Sequence, residues 1–367
     1  MLGSKRLFLS VLFLVLIPFF AYAQQTPETR IISGVSGTVS HGDVVFMWMG
    51  QSTDRPILGY YYTLGNAEPV FTDATQVTFF DLFDGIYSFS ISAIDIDGVI
   101  DPTPAFENFQ VSRNVQLEVE FNGQSNFANY LQSGRILQGM SLNQHDDDWY
   151  KFDVSNVGAI TVSLKRVGGT GLATAKIYQK IASDANKIAE FHIDQQNAQR
   201  QIMTIGVAEG SYFIQIQPGI VDFDFTGYTL AVSPNKLGDG VAWDVENNDT
   251  FADASPLKFP ANQQLTLIGS QNSIGDLDWF TLQILRRQKL TVIFERLGAS
   301  SQTMTYLYRS PVGNEVSRQV GLLEATTLNG HFAQLETYVA PGNYLFKIDN
   351  GTFQEAINYV VLLQLEE

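Results

Sequence analysis

Five oxygen-bearing side chains in the C-terminal part of the sequence have the types and spacing of a cation site. They fall in two short groups, first Glu246, Asn248 and Asp249, and then Asp276 and Asp278. Calcium prefers six to eight oxygen ligands, which carboxylate and amide groups supply. Asp276 and Asp278 stand at positions i and i+2, so in a strand both side chains would point to the same side. We predict that these five residues bind calcium; the alternative is that they end turns and bond to nearby backbone.

The segment around this site occurs twice in the chain. Residues 146–168 and 276–298 align without a gap, and both contain Asp-x-Asp-Trp followed by alternating apolar positions. The match extends outward from Gly139 and Gly269 to Tyr178 and Tyr308 and, after a shift of two, to residues 208–212 and 340–344, so that roughly 120 residues are copied. A copied segment of this extent is the size of a domain, so we predict two tandem modules that bind rather than catalyse.

The first copy offers a smaller set of ligands. Its candidates are Glu120, Asn122, Asp146 and Asp148. Gly123 follows Asn122 where the second copy has an acidic residue, and this weakens the prediction of calcium in the first copy.

Short strands must position these side chains. Runs of alternating apolar and polar residues, separated by Gly, Pro, Asn and Asp, fill both copies and also residues 31–111. Long helical periodicity is absent. The sequence therefore predicts an all-β protein of three tandem β-sandwich domains at residues 24–113, 114–235 and 236–367.

The first predicted domain carries a recognisable pattern. Trp48 lies in an early strand, and Leu82-x-x-Gly85-x-Tyr87 precedes a strictly alternating segment. These residues resemble a fibronectin type III module. The resemblance implies an immunoglobulin-like sandwich in which Trp48 is a core residue and Leu82 and Tyr87 form a tyrosine corner. The ending at Asp101-Pro-Thr-Pro104 is a departure that is similar to fibronectin-like repeats of bacterial surface and sensor proteins.

The two copies carry a second resemblance. The order of motifs in the second copy is residues 246–254, Gly269, Asp276-Leu-Asp278-Trp279-Phe280 and a Gly342-x-Tyr344 strand; the first copy matches at Gly139, Asp146, Asp148, Trp149 and Gly210-x-Tyr212. This order resembles the pre-peptidase C-terminal domain. The resemblance implies jelly-roll-like sandwiches of the kind appended to secreted bacterial proteases, related to collagen-binding domains in which calcium joins the leader to the sandwich. It does not imply proteolysis, since the chain shows no protease domain.

Several aromatic residues are candidates for either the core or a binding surface. Four of them match between the copies: Trp149, Tyr178, Trp279 and Tyr308. We predict that the tryptophans are buried in the core, because an indole buries a large area, with sugar or peptide stacking as the alternative. The tyrosines are predicted to pack in the core or at a strand edge. Phe223 and Phe225 have no counterpart in the second copy, which predicts an exposed interaction patch.

Residues 1–23 have the order of a secretory signal peptide. Lys5 and Arg6 precede an apolar run that ends in Ala21-Tyr22-Ala23, so we predict cleavage before Gln24; a membrane anchor is the alternative. The chain has no cysteine, which excludes disulfides and thiolate metal sites. Its net charge of −16 disfavours nucleic acid and anionic membranes as partners. Together these features predict a secreted, bacterial cell-surface or periplasmic protein without a transmembrane segment after cleavage.

No catalytic motif accompanies these features. The four histidines stand singly, and neither a zinc-binding His pair nor a nucleophile motif is present. The sequence predicts a non-catalytic binding or adhesion protein that recognises an extracellular polysaccharide or protein and is stiffened by calcium. The alternatives are a structural stalk or assembly subunit, and an exported glycan-active or peptidase-associated enzyme with an unrecognised site.

Overall fold

A computed structural model describes residues 26–52, 55–132, 134–169, 171–181, 184–193, 200–219, 226–246, 248–271, 276–297, 303–310, 317–325, 332–349 and 357–366. All regular structure in these segments is β-strand, apart from one 3₁₀ turn at Ser125–Phe127. The all-β prediction is therefore confirmed. The predicted signal peptide, Phe223 and Phe225 lie outside the described residues. Within the described segments, no helix has the length and apolar character needed to cross a membrane.

The first eight strands form two facing sheets. They are β1 (Glu28–Gly34), β2 (Gly37–Val39), β3 (Val44–Gln51), β4 (Ile57–Leu64), β5 (Val70–Thr72), β6 (Gln76–Phe79), β7 (Gly85–Asp95) and β8 (Ala105–Val111). Strands β1, β3 and β6 adjoin in one sheet, and the other has the order β2-β8-β7-β4-β5. Trp48 is fully buried between them, as predicted. The Tyr87 hydroxyl donates to the carbonyl of Phe83 at 3.0 Å, which is a tyrosine-corner contact.

The next ten strands form a second pair of sheets. They are β9 (Val115–Leu117), β10 (Asn129–Tyr130), β11 (Ile136–Ser141), β12 (Asp148–Val154), β13 (Gly158–Gly169), β14 (Ala173–Ile181), β15 (Asp184–Ile193), β16 (Arg200–Val207), β17 (Gly210–Pro218) and β18 (Thr226–Leu237). One sheet has the order β16-β13-β18-β11-β9, and the other has the order β10-β12-β17-β14-β15. An apolar core that includes Leu137, Val162 and Ile214 fills the space between them.

The last ten strands repeat this arrangement. They are β19 (Val241–Trp243), β20 (Ser255–Leu257), β21 (Gln264–Gln271), β22 (Leu277–Ile284), β23 (Gln288–Leu297), β24 (Thr303–Arg309), β25 (Arg318–Ala325), β26 (Phe332–Val339), β27 (Gly342–Asp349) and β28 (Ile357–Glu366). The sheet orders are β19-β21-β28-β23-β26 and β20-β22-β27-β24-β25. In both copies a short leader strand pairs parallel with the next long strand, β9 with β11 and β19 with β21.

The repeated Gly-x-Tyr motif has the same role in both copies. Tyr212 donates its hydroxyl proton to the carbonyl of Ala208 at 2.9 Å, and Tyr344 donates to the carbonyl of Ala340 at 3.0 Å. Each tyrosine therefore fastens the turn that precedes its own strand, β17 or β27.

The three sheet pairs are joined to one another. The end of β18 pairs with β1 through Gly34 and Lys236, so the sheet of the first copy continues into β1, β3 and β6. This pairing runs through the predicted boundary after residue 235. A fourth apolar cluster contains residues from all three regions, including Met47, Ala159 and Trp243. Strand β3 is buried on both faces, since Phe46 and Trp48 face one core while Met47 faces the shared cluster.

Candidate metal sites

In each copy the leader is the segment between the first two short strands, β9 and β10 in the first copy and β19 and β20 in the second. In the second copy, Asn248 holds the leader against the start of β22 through hydrogen bonds. The backbone carbonyl of Asn248 accepts the amide of Trp279 at 3.0 Å. Its side-chain nitrogen donates to Asp244 Oδ1 at 2.9 Å and to the carbonyl of Trp279 at 3.2 Å. These bonds hold the acidic residues of the leader beside those of β22.

The carboxylates of this region form two overlapping groups. Asp244, Glu246 and Asp278 each place an oxygen within 4.8 Å of the others, and so do Glu246, Asp249 and Asp276. Asp244 and Asp278 are buried, and Glu246 is half-buried. Glu246 belongs to both groups and links them.

The surroundings oppose ionisation of these carboxyl groups. Burial and then repulsion from Asp276 raise the pKa of Asp244 to about 7. Burial and then repulsion from Asp244 and Asp276 raise the pKa of Glu246 to about 9. The pKa of Asp278 is raised well above its usual range, mainly by burial. A bound cation would reverse this preference, because it attracts the charged form of every group.

The amide oxygen of Asn248 provides an independent indication of a cation. Asn248 is fully buried, and its Oδ1 has no hydrogen-bond donor among the described residues. A buried polar atom without a partner is costly, and an amide oxygen is a ligand that calcium accepts. The side-chain nitrogen of Asn248 bonds to Asp244, so its oxygen belongs to the same group of side chains.

The first copy has the same construction. Glu118, Glu120 and Asp148 each place an oxygen within 4.8 Å of the others. The carbonyl of Asn122 accepts the amide of Trp149 at 3.0 Å, and its side-chain nitrogen donates to Glu118 Oε1 at 2.9 Å. Asn122 Oδ1 and Asp148 Oδ1 are buried without a partner among the described residues. Burial and then repulsion from Glu118 raise the pKa of Asp148 to about 8.

The copies differ at two of the predicted ligands. Asp146 accepts the amide of Leu142 at 2.6 Å and lies outside the carboxylate group, whereas its counterpart Asp276 lies inside one. Gly123 supplies no oxygen-bearing side chain where the second copy has Asp249. The second copy thus gathers five carboxylates and the first copy three.

A buried tyrosine hydroxyl lies beside each group of carboxylates. The Tyr228 hydroxyl donates to Asp148 Oδ2 at 2.6 Å, and Tyr359, fully buried, has the equivalent place beside Asp244 and Asp278. The matched glycines make room for these rings. A Cβ at Gly139 would stand 2.7 Å from the Tyr228 ring, and a Cβ at Gly269 would stand 2.2 Å from the Tyr359 ring.

Glu118 and Asp244 belong to these groups although they are not among the ligands predicted from the sequence. The structure brings together Glu246, Asn248, Asp249, Asp276 and Asp278 in the second copy, and Glu120, Asn122 and Asp148 in the first. The missed residues carry a signal, because an acidic residue stands two positions before each leader glutamate: Glu118-x-Glu120-x-Asn122 and Asp244-x-Glu246-x-Asn248. Alternate residues of an extended leader face the same side.

The prediction that the matched tryptophans belong to the core is wrong. Trp149 and Trp279 are half-buried and lie on the outer face of their sheets, because Asp148, Tyr150, Asp278 and Phe280 take the inward positions. Each stacks on the matched tyrosine, with ring centroids 5.4 Å apart for Trp149 and Tyr178 and 6.1 Å apart for Trp279 and Tyr308. The tyrosines are likewise half-buried on the outer face rather than in the core.

Comparisons with known proteins concern the architecture alone. No protein-family model matches the chain, and no curated protein matches it. The chain is similar to fibronectin(III)-like modules of Clostridium thermocellum CbhA, at 18% identity over 23% of this chain and 98% of that one, with a TM-score of 0.21. It is similar to the pre-peptidase C-terminal domain of collagenase from Bacillus anthracis, at 18% identity over 33% of this chain and 99% of that one, with a TM-score of 0.24. A carbohydrate-binding module of the β-sandwich superfamily aligns at 12% identity over 57% of this chain and 98% of that one, with a TM-score of 0.22.

Proposed function

We propose that this chain is an exported, non-catalytic binding protein made of a fibronectin III-like sandwich and two pre-peptidase C-terminal-like sandwiches, each of the latter holding calcium. The observation that carries the proposal is the repeated pairing of a carboxylate group with a buried, unpartnered asparagine oxygen, at Asn122 and at Asn248. Two copies that differ elsewhere keep this costly arrangement, and a hard cation offsets its cost.

The residues of each copy would hold the ion between the leader and the first long strand of the second sheet. In the second copy they are Asp244, Glu246, Asn248, Asp249, Asp276 and Asp278; in the first they are Glu118, Glu120, Asn122 and Asp148. The ion would compensate the buried negative charge and so fasten the leader to β22 or β12. This role is structural, which agrees with sites that offer oxygen ligands and no nucleophile.

Calorimetric titration with calcium tests this proposal. We expect the chain from Gln24 onward to bind at least two ions, Asp278→Asn to remove binding in the second copy, and Asp148→Asn to remove it in the first. Asp84→Asn is the control, because Asp84 is exposed and lies in the first region of the chain. No heat of binding in the parent chain would contradict the proposal, and so would equal binding in all three variants.

The outer face of the second copy is the surface we assign to an extracellular polysaccharide or protein. Trp279, Lys347, Tyr306 and Leu322 are neighbours across four strands, and Leu322 is 45% exposed. The Lys347 ammonium lies 5.6 Å from the Trp279 ring centre and 5.4 Å from the Tyr306 ring centre. The equivalent row of the first copy is Trp149, Gln215, Lys176 and Glu190, which is polar after its first member. In this row the second copy is therefore more apolar than the first.

Retention on insoluble polymers tests this assignment. Cellulose, chitin, peptidoglycan and collagen would be incubated with the parent chain and with the double variant Trp279→Ala, Tyr306→Ala. We expect one polymer to retain the parent chain but not the double variant. The control Tyr178→Ala, which changes the first copy, should still be retained. Retention of none of the four would favour the structural stalk or assembly subunit over the binding protein.

A further inference from the structure

A cavity of about 360 Å³ opens at one end of the first copy, between its two sheets. Its walls come from the end of β12, the start of β13 and the second half of β18, and they include the buried apolar side chains of Phe152, Ile160 and Val207. The volume falls in the range of roughly 300–1,000 Å³ that is usual for small-molecule sites. The cavity is separate from the carboxylate group of this copy, since Asp148 begins β12 and the cavity lies where that strand ends, at Val154.

The second copy fills the equivalent space with its own side chains. Three residues close this end of the second copy and are 3%, 4% and 7% exposed: Leu265, Gln288 and Leu365. The strand registers place residues of different character at the same positions of the first copy: Arg135, Gly158 and Pro234. Nothing lies within 4 Å of a Cβ built at Gly158, so this position opens into empty space. The cavity therefore arises where the first copy lacks the side chains that close the second.

Arg135 gives the cavity a positively charged group. It stands two positions before the core residue Leu137, so it belongs to the inward face of the sheet, and it is half-buried where it lines the cavity. Its guanidinium has no hydrogen bond or ion pair with the residues that the structure describes. Asp153 is the one carboxylate among the described lining residues, and its oxygens already accept hydrogen bonds from Ser211 at 2.6 Å and Tyr130 at 3.3 Å.

A guanidinium in such a place selects a carboxylate as its partner. The planar fork of its N–H donors matches the two oxygens of a carboxylate, and the bonds between the two charged groups are stronger than those between neutral ones. A doubly charged phosphate is disfavoured, because Asp153 at the same cavity repels it more than a single charge.

The apolar walls select the remainder of the ligand. The equivalent space of the second copy is occupied in large part by leucine side chains, Leu265 and Leu365. A ligand that replaces them and also meets Arg135 has an aliphatic body and a carboxylate at one end.

We propose that this cavity binds an aliphatic carboxylic acid, with its chain between the two sheets and its carboxylate on Arg135. A free acid and the C-terminal residue of an apolar peptide both present these groups. The proposal rests neither on the calcium sites nor on the outer face of the second copy.

Calorimetric titration of the chain from Gln24 onward with octanoate and with N-acetyl-leucyl-leucine tests the proposal and distinguishes the two sources. We expect octanoate to bind at least about tenfold more tightly than neutral octanamide, because the amide loses the charge-assisted bonds to Arg135. Tighter binding of the dipeptide than of octanoate would assign the cavity to a peptide terminus. Arg135→Leu, which introduces the residue of the second copy, should bind octanoate no more tightly than octanamide.

Gly158→Gln, which also introduces the residue of the second copy, fills the cavity without changing its charge. It should weaken the binding of octanoate and octanamide alike, by at least about tenfold. Arg287→Leu is the control, because Arg287 is exposed in the turn between β22 and β23, at the same end of the second copy. It should leave both affinities unchanged.

Thermal unfolding of these variants would show that they remain folded, as expected for residues that the second copy already accommodates. A parent chain that binds neither acid at millimolar concentration would overturn the proposal, and so would equal affinity of the parent for octanoate and octanamide. Octanoate binding that survives Gly158→Gln would overturn it as well, because the acid would then lie elsewhere.

Discussion

Asn122 and Asn248 each join three parts of a site with one side chain and one peptide group. The backbone carbonyl receives a strand amide, the side-chain nitrogen holds a leader carboxylate, and the side-chain oxygen is left for a ligand. An aspartate at this position would lose the donor and add a negative charge. An alanine would lose both polar contacts but keep the backbone bond.

Asn248→Ala should therefore weaken calcium binding in the second copy without unfolding it. The loss of one oxygen ligand and of the bond that orients Asp244 predicts an affinity at least about tenfold lower. Calorimetric titration would measure the calcium affinity of each copy separately, and the affinity of the first copy should be unchanged. Asn156→Ala is the matched control, because Asn156 is exposed and bonds only to Ser155 among the described residues. Unchanged affinity in Asn248→Ala would remove the amide oxygen from the ligand set.

Gly269 should tolerate no side chain. A Cβ there would stand 2.2 Å from the Tyr359 ring and 2.8 Å from Asp244 Cβ, so Gly269→Ala must displace the ring or the leader. We expect a loss of about 1–3 kcal/mol in the free energy of unfolding, measured with denaturant. Gly158→Ala is the control, because nothing lies within 4 Å of a Cβ at that position. Equal stability of the two variants would contradict the close packing of Tyr359 against β21.

At the scale of strands, β23 divides its side chains between two environments. Val292 and Phe294 face the core of the second copy, while Ile293 packs against the shared cluster and Glu295 lies on the same face as Ile293. Glu295 is close enough to Tyr60 of the first region to contribute, after burial, to raising the pKa of that hydroxyl. Burial also raises the pKa of Glu295 itself to about 7.

The contribution of Glu295 to stability should depend on pH. Its folded pKa of about 7 lies above the value of an unfolded glutamate, so folding is favoured while the group is protonated. This contribution is complete below about pH 4 and is lost as the pH rises through about 7, with a total of up to about 3 kcal/mol. Thermal unfolding of Glu295→Gln should show higher stability than the parent at pH 8 and equal stability at pH 4. Equal melting temperatures at both pH values would contradict burial of this carboxyl group.

The strands themselves could be predicted from alternation, but the direction of each alternating side chain could not. Trp149 and Trp279 lie in alternating strands as predicted, but they point to the outer face instead of the core. Both faces of β12 and β22 carry large side chains, so the alternation alone does not show which face is buried. The leader carboxylates were predicted in part. Glu118 and Asp244 lie two positions before the leader glutamates that the motif contains, and only the alternation Glu118-x-Glu120-x-Asn122 and Asp244-x-Glu246-x-Asn248 connects them to the site.

At the scale of the whole molecule, the three sheet pairs are packed together. Sequence analysis predicts tandem modules but not this packing. The residues that join the sheet pairs alternate with core residues on the same strand, as Met47 does with Phe46 and Trp48 on β3. Such a segment is typical of a strand buried on both faces, and the sequence does not say which partner covers the second face.

Unfolding should therefore be cooperative across the described chain. The pairing of β18 with β1 and the shared apolar cluster predict a single thermal transition for the parent. Gly206→Ala should separate the second copy from this unit, because its Cβ would overlap the carbonyl of Asp244, and calorimetry should then show two transitions. Gly158→Ala, on β13 beside β16, should keep one. Two transitions in the parent, or one in Gly206→Ala, would contradict this account.

Each copy is proposed to hold calcium between its leader and its second sheet. A crystal structure grown in calcium, with an anomalous difference map, tests it most directly. We predict peaks beside Asn248 Oδ1 and Asp278 in the second copy, and beside Asn122 Oδ1 and Asp148 in the first. A map without a peak at either place, with both asparagine oxygens bonded to protein or water donors instead, would contradict the claim.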